Sequence, residues 1–200
     1  MKQKLRNTGV DVLGEMPWGM HISHFYRTAA DLTDILLPYF KAGLGNNELC
    51  LWVTSQPLGA EAARLAMQKK VKNLSAYIKK GQMEILDYTQ WYTKSGKPEF
   101  HKVLLAWIEK EEEALKKGFE GLRVTGNGSW LEMDSWKDLI KYEAMVDYAI
   151  GKHRILAICS YPLGKCKASH ILDVTSHHQF TLIKRAGKWT RLRRAASLDL

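Results

Sequence analysis

Two histidines and two cysteines are the side chains of this sequence whose types could do chemistry together. His21 and His24 stand three positions apart, so their imidazoles could approach one metal ion. Cys50 and Cys159 lie in apolar runs typical of buried strands, and either thiol could complete a mixed nitrogen and sulfur site. The alternative is that the histidines bind backbone groups and the cysteines are small core residues. We favour this alternative, so the sequence assigns no metal ligand.

Nucleophilic catalysis is the second chemistry that these residue types suggest. A thiol becomes a strong nucleophile when a nearby imidazole takes its proton, and His24 or His101 could be that base. No spacing along the chain favours such a pair over chance. A further pair, His177 and His178, is expected to end a helix rather than bind a metal. We therefore predict no catalytic residue and no enzymatic activity.

Phosphate binding by a glycine-rich loop is excluded by the glycines themselves. The loop needs Gly-x-x-x-x-Gly-Lys followed by Ser or Thr, whose amides, lysine and hydroxyl hold the phosphates and magnesium. Gly-Lys occurs four times, but the residue after the lysine is Pro98, His153, Cys166 or Trp189. ATP hydrolysis is not expected, and no cofactor is assigned.

A helix with clear ends follows the first histidines. Thr28 and Asp31 have the spacing of a capping box, and Gly43 supplies the C-terminal stop. The run from His21 to Tyr26 is interpreted as the approach to this helix and is not counted among the strands. After the helix, residues 48–53 form a continuous apolar run that predicts a strand buried on both faces.

Strands and helices alternate along the rest of the chain. We predict further strands at 83–87, 122–125 and 154–160, a helix at 60–80 that breaks near Asn73, and a hairpin of 179–184 with 188–192. This order predicts a three-layer α/β fold with a mainly parallel sheet and antiparallel C-terminal edge strands. The single predicted domain spans residues 15–192, with an N-terminal extension over 1–14 and a basic tail over 193–200.

Aromatic residues cluster where the predicted strands end. In a parallel sheet, ligands bind beyond the carboxyl ends of the strands. An apolar, aromatic edge with a few hydroxyls suits a small, weakly polar organic ligand better than a polyphosphate, although any one ring could simply pack under a loop. The predicted ligand-binding residues are His21, His24, Phe25, Tyr26, Trp52, Ser55, Asn127, Trp130 and Tyr161.

The net charge of +9 is concentrated at the two ends of the chain. Because the body between them is nearly neutral, nucleic acid is not expected as the main partner. No apolar run approaches the roughly 18–20 residues that cross a bilayer, and the N-terminus lacks the apolar segment of a signal peptide. We therefore expect a cytoplasmic protein whose three cysteines are free thiols.

Several sequence blocks resemble one known family. They are HISHFY at 21–26, ELCLWVTS at 48–55, RVTG at 123–126 and ICSYP at 158–162, with Trp130, Trp136, Tyr142, Glu143 and His178 between and after them. These blocks resemble the MEDS domain, the sensory domain of methanogens, methylotrophs and the dichloromethane regulator DcmR. The resemblance covers roughly residues 15–190, and its first block is the most specific.

The resemblance implies a RecA- or KaiC-like fold without a phosphate loop, with residues 21–28 in the place of that loop and the start of its helix. It also implies sensing of simple hydrocarbon derivatives and, by analogy, homo-oligomers. Members are often fused to kinase or DNA-binding modules. We see no room for one here and expect a separate signalling or transcription partner.

Two other functions stay open from sequence. One is a nucleotide-binding RecA-like protein without ATPase activity, and the other is a nucleic-acid or protein adaptor that uses Arg191, Arg193 and Arg194.

Overall fold

The computed structural model describes residues 4–94, 96–131 and 136–194. The strands are β1 (Arg6–Asn7), β2 (Glu15–Met16), β3 (Met20–Tyr26), β4 (Leu49–Thr54), β5 (Met83–Asp87), β6 (Leu122–Asn127), β7 (Ile155–Pro162), β8 (Phe180–Arg185) and β9 (Lys188–Arg193). The helices are α1 (Ala29–Gly45), α2 (Ala60–Lys70), α3 (Leu74–Lys79), α4 (Phe100–Lys116), α5 (Trp136–Ile150) and α6 (Ala168–Ser176).

Seven of these strands form one sheet in the order β5-β4-β6-β7-β3-β8-β9. All neighbours are parallel except β8 and β9, which form the predicted antiparallel hairpin. The mainly parallel α/β fold with an antiparallel C-terminal edge is thus confirmed. Because the parallel strands run the same way, Tyr26, Thr54, Asn127 and Pro162 all reach one edge.

The sheet lies between two helical layers, each with its own core. One core joins α1, α2 and α3 to side chains of β3, β4 and β7 such as Ile22, Trp52 and Ile158. The other joins α4, α5 and α6 to the alternate side chains of the same strands, such as Phe25 and Val53. Since side chains alternate across a strand, neighbouring residues of one strand serve different cores.

The strand β3 lies inside the sheet, between β7 and β8, and corrects the prediction for residues 21–28. These residues do not form a loop and the start of a helix, because all but the last two belong to β3. His21, Ser23 and His24 make the run look unlike a buried strand, yet each is fully buried. Their polar atoms bond neighbouring strands and loops, which allows polar side chains in a strand covered on both faces.

The helix α1 begins as predicted. The Thr28 side chain accepts from the Asp31 amide, and the Asp31 carboxylate accepts from the Thr28 amide, which completes the capping box. The helix continues past Pro38 to Gly45, two residues beyond the predicted stop at Gly43. The predicted break in the second helix is also present, where Asn73 adopts a left-handed conformation between α2 and α3.

The residues before β3 pack onto the domain. The short strands β1 and β2 pair with each other, and Val10, Leu13 and Met16 are buried in the α1-side core. Residues 1–3 and 195–200, which fall in the predicted N-terminal extension and basic tail, lie outside the described residues. Among the helices of the described chain, none is both long and apolar enough to cross a bilayer.

Candidate functional site

A closed polar network occupies the carboxyl ends of β3, β4 and β6 on the α1 side. The Tyr26 hydroxyl donates to Asn127 Oδ1 at 3.0 Å, and the amide of Ser129 donates to the same oxygen at 2.9 Å. The Ser129 hydroxyl donates to Ser55 Oγ at 2.9 Å. These groups satisfy one another, so the network fixes the loop after β6. Burial raises the pKa of Tyr26, and the phenol therefore remains a neutral donor.

Aromatic rings form a continuous stack beside this network. Trp130 stacks on Tyr88 with ring centroids 5.4 Å apart and contacts Tyr92 at 5.2 Å. Tyr92 also meets Trp107, which donates its indole hydrogen to the Tyr142 hydroxyl at 2.8 Å. Trp130 Nε1 is buried and has no hydrogen-bond partner among the described residues. The stack places a rigid apolar wall at the carboxyl edge.

A groove of about 500 Å³ opens next to this wall, beyond the ends of β6 and β7. Its size lies in the range of small-molecule sites. The lining is mainly apolar, and one charged side chain, Lys165, crosses to the carbonyl of Ser129 at 2.8 Å. The lining residues are Gly128, Ser129, Trp130, Leu131, Trp136, Tyr161, Pro162, Lys165 and Cys166.

The nine predicted site residues do not form one pocket. His24, Tyr26 and Trp52 belong to the α1 side, where Trp52 stacks on Phe40 at 5.2 Å inside the core. His24 bonds Ser160 Oγ at 3.2 Å, and burial lowers its pKa to about 3, so the ring is neutral.

The other predicted residues lie on the α5 side or at the edge itself. Phe25 packs against Tyr161 in the α5-side core with centroids 5.7 Å apart. Trp130 and Tyr161 both line the groove, whereas Ser55 and Asn127 belong to the polar network.

His21 lies in a second polar group on the α5 side, in which three members are buried and Cys159 is partly buried. We call this group the β3–α5 cluster; its members are His21, Glu143, Cys159 and His178, with one ligand-type atom each, all within 4.8 Å of one another. A cavity of about 20 Å³ reaches two of its members, Glu143 and Cys159, from the side of Tyr161. These are the described residues of the chain that could hold a metal ion. Cys50, also weighed as a ligand from sequence, lies in the α1-side core instead.

The turn between β3 and α1 carries a carboxylate at the start of the helix. Asp31 Oδ2 accepts from the amides of Arg27 and Thr28 at 2.9 and 3.1 Å, and Lys184 donates to Asp31 Oδ1 at 3.0 Å. The free amides at a helix N-terminus are a common binding site for phosphate. Here the protein's own carboxylate occupies two amides of the turn.

Sequence reasoning missed Ser129, Glu143, Trp136 and His178 as site residues. Glu143 is the one that a pattern could have revealed, because a carboxylate on the buried face of α5 needs a partner. His178 follows the end of α6, as expected from the His177-His178 pair, and its ring then turns into the cluster.

Comparison with known proteins agrees with this architecture. A KaiC-like protein from the hyperthermophilic archaeon Pyrococcus horikoshii OT3 superposes with a TM-score of 0.60 over 98% of this chain and 90% of its own, at 14% sequence identity. At that identity the likeness concerns the fold alone. A comparison with curated protein sequences gave no match. The family profile described as "MEthanogen/methylotroph, DcmR Sensory domain" matches residues 20–179. This chain therefore belongs to the MEDS family of sensory domains.

Proposed function

We propose that this domain is a non-enzymatic cytoplasmic sensor that binds a small organic molecule and signals through a separate partner protein. Its family is a sensory one, which supports the general role. The observation that carries the binding proposal is the groove of about 500 Å³ beside Trp130, with its mainly apolar lining. Such a site suits a hydrocarbon derivative.

Nucleotide binding is the weaker candidate. In this fold a phosphate would approach the turn between the interior strand β3 and α1. That turn lacks a glycine-rich loop, and the Asp31 carboxylate already holds the amides of Arg27 and Thr28. A second anion there would meet a like charge. The turn therefore supports a degenerate phosphate loop without ATPase activity.

The adaptor function is also weakened, because described parts of the basic C-terminus make contacts within the domain. Arg191 donates to the carbonyl of Leu13 at 3.1 Å and lies over the Phe180 ring. Arg194 bonds the Asp147 carboxylate at 2.6 Å. These guanidinium groups are thus already engaged.

A homologous series of probes tests the groove. We would titrate the full chain with primary alcohols from methanol to hexanol and follow tryptophan fluorescence and thermal unfolding. Each methylene that enters an apolar groove contributes about 0.8 kcal/mol, which is about four-fold in affinity. A three-atom probe such as dichloromethane gains at most about 4.5 kcal/mol, so its Kd would be no tighter than about 0.5 mM.

The matched variants are Trp130→Leu and Trp189→Leu. Both indoles are partly buried, and both carry an unpartnered Nε1 among the described residues, but Trp189 lies on the edge strand β9 away from the groove. We expect Trp130→Leu to weaken hexanol binding at least ten-fold and Trp189→Leu to leave it unchanged. Equal binding by the three proteins, or saturable micromolar binding of ATP with magnesium, would overturn the proposal.

A further inference from the structure

The β3–α5 cluster contains a buried carboxylate without a cationic partner. Glu143 is 2% exposed, and among the described residues its charge contacts are the imidazoles of His21 and His178. No lysine or arginine of the described chain pairs with it. A buried, unpaired carboxylate is costly, so something positive is expected beside it.

Backbone carbonyls fix the protonation of both imidazoles. His21 Nδ1 lies 3.1 Å from the carbonyl of His177, and His178 Nδ1 lies 2.7 Å from the carbonyl of Val174. A carbonyl oxygen only accepts, so each Nδ1 carries a hydrogen, and in the neutral imidazole each Nε2 then presents its lone pair. Metal-binding histidines are commonly oriented in this way by a backbone carbonyl.

The two Nε2 lone pairs face the carboxylate. His21 Nε2 lies 3.3 Å and His178 Nε2 lies 3.5 Å from Glu143 Oε2. In neutral rings these are contacts between acceptors, and among the described residues His178 Nε2 and Glu143 Oε2 are buried without a hydrogen-bond partner.

The fourth member supplies sulfur. Cys159 Sγ lies 3.3 Å from His21 Nε2 on the neighbouring strand β7. A tetrahedral zinc ion with bonds of about 2.0–2.3 Å separates its ligand atoms by about 3.3–3.7 Å. Three of the six ligand pairs, at 3.3, 3.3 and 3.5 Å, have this size, and all six lie within 4.8 Å.

We propose that the β3–α5 cluster binds one divalent transition-metal ion of the zinc class through two nitrogens, one sulfur and one carboxylate oxygen. The mixed ligand set favours a borderline ion such as Zn²⁺ over Mg²⁺ or Ca²⁺, which prefer oxygen. Binding releases the thiol proton of Cys159 and compensates the charge of Glu143. The ion would join β3, β7 and α5 to His178, which lies between α6 and β8. This site is independent of the groove and of the proposed sensing function.

The outer contacts of His21 support a built site. Its amide donates to Gln179 Oε1 at 2.6 Å, and Gln179 Nε2 donates to Asp147 Oδ1 at 2.6 Å. Asp147 is in turn paired with Arg194. These hydrogen bonds fix the position of the His21 backbone, and they place the Asp147 carboxylate 4.0 Å from the His21 ring.

Cobalt spectroscopy of the full chain tests the proposal. Chelator-treated protein would be titrated with Co²⁺ and, separately, with Zn²⁺ followed by dialysis and elemental analysis. We expect one equivalent of metal, a thiolate-to-cobalt charge-transfer band and strong visible bands typical of tetrahedral Co²⁺. Cys159→Ser should lose the charge-transfer band, and Glu143→Gln should bind Co²⁺ at least about ten-fold more weakly.

Two variants outside the cluster are the controls. His153→Gln removes a histidine that pairs with Glu111 at 2.9 Å, and Cys50→Ala removes a buried thiol of the other core. Both should keep the wild-type spectrum and stoichiometry. Wild-type protein that retains less than a tenth of an equivalent, or a cobalt spectrum that is identical in Cys159→Ser, would overturn the proposal and leave a protonated histidine-carboxylate cluster.

Discussion

Two buried polar groups lie on opposite sides of the sheet and differ in how their charges are compensated. On the α1 side, the amino-edge network consists of Arg6, Glu48 and Arg123, and each oxygen of Glu48 bonds one guanidinium. The remaining donors of Arg123 reach the carbonyls of Asn7, Thr8 and Tyr39. On the α5 side, no lysine or arginine among the described residues pairs with the carboxylate of the β3–α5 cluster, which contacts two imidazoles instead.

This difference separates the amino-edge network, which stabilises the fold, from the β3–α5 cluster, which we propose to bind a metal ion. Two guanidinium groups and several carbonyls saturate the amino-edge network, so it needs nothing from outside. The β3–α5 cluster is also largely buried but keeps atoms that have no hydrogen-bond partner among the described residues, as expected of the metal site that we propose. Burial alone therefore does not distinguish the two, whereas the balance of donors and acceptors does.

The largest effect is expected when the carboxylate of the amino-edge network is removed. Glu48→Gln leaves Arg123 buried without a counter-charge and leaves Arg6 with the more exposed Glu120, and we expect a loss of about 3–5 kcal/mol in the free energy of unfolding. Urea denaturation at neutral pH measures it. The control is Glu113→Gln, which removes a more exposed carboxylate paired with Lys110 and Lys117 and should cost less than about 1 kcal/mol. Similar losses in both variants would contradict the comparison.

A backbone change should disturb the same network by steric means. In Gly43→Ala the new Cβ would lie 2.6 Å from Arg123 Cδ and 2.8 Å from its Nε. We expect a loss of about 1–3 kcal/mol, since the guanidinium must move from Glu48. Gly45→Ala is the matched control in α1, because its Cβ meets nothing within 4 Å. If the two variants unfold at the same urea concentration, the packing around Arg123 is looser than described.

Acid should lower the free energy of unfolding through the buried imidazole of His24, which no carboxylate contacts among the described residues. Burial lowers the pKa of His24 from 6.5 to about 3, against the smaller opposing effects of Asp31 and Asp34. Between these pH values the unfolded chain binds more protons than the folded protein. The full contribution of His24 to the free energy of unfolding is therefore present above pH 6.5, and it decreases as pH falls. The expected slope from His24 is about 1.4 kcal/mol per pH unit.

His24→Gln isolates this contribution. Urea denaturation at pH 7, 6 and 5 should show a shallower decrease for the variant than for the wild-type protein. Parallel decreases would mean that His24 is not the titrating group, and attention would pass to the imidazoles of the β3–α5 cluster.

The smallest effect is expected when the carboxylate of the β3–α5 cluster is removed. In chelator-treated protein, Glu143→Gln removes a charge that no cation compensates, and we expect stability to change by less than about 1 kcal/mol or to rise. With Zn²⁺ present, the wild-type protein should gain stability and the variant should gain less. Thermal unfolding with and without Zn²⁺ measures both. A metal-free loss as large as that of Glu48→Gln would show that Glu143 is already paired.

Much of the fold could be predicted because its signals are local. The apolar runs at 48–53 and 154–160, the capping box of Thr28 and Asp31, and the break near Asn73 all lie where the structure has the matching feature. The exception is β3. Its histidines and serine hide the apolar pattern, and their partners come from distant parts of the chain, so no local rule could show that they are satisfied.

The site could be predicted only in part. The aromatic character of the carboxyl edge follows from residues that end strands, and the structure stacks Tyr88, Tyr92 and Trp130 there. Which predicted residues share a pocket depends on the face each one takes. In β3, His21 and His24 stand three apart and therefore lie on opposite faces of the sheet, whereas on a helix they would be neighbours. The prediction of one shared site did not separate them.

The sequence by itself determined the alternation of helices and strands, the caps and the lack of a glycine-rich phosphate loop, because each depends on a few consecutive residues. Only the tertiary structure decided that His21 meets Cys159, 138 positions away, and that both meet Glu143 and His178. Parallel strands pair through long crossovers, so residues that could share one ion come together only when the sheet order is set.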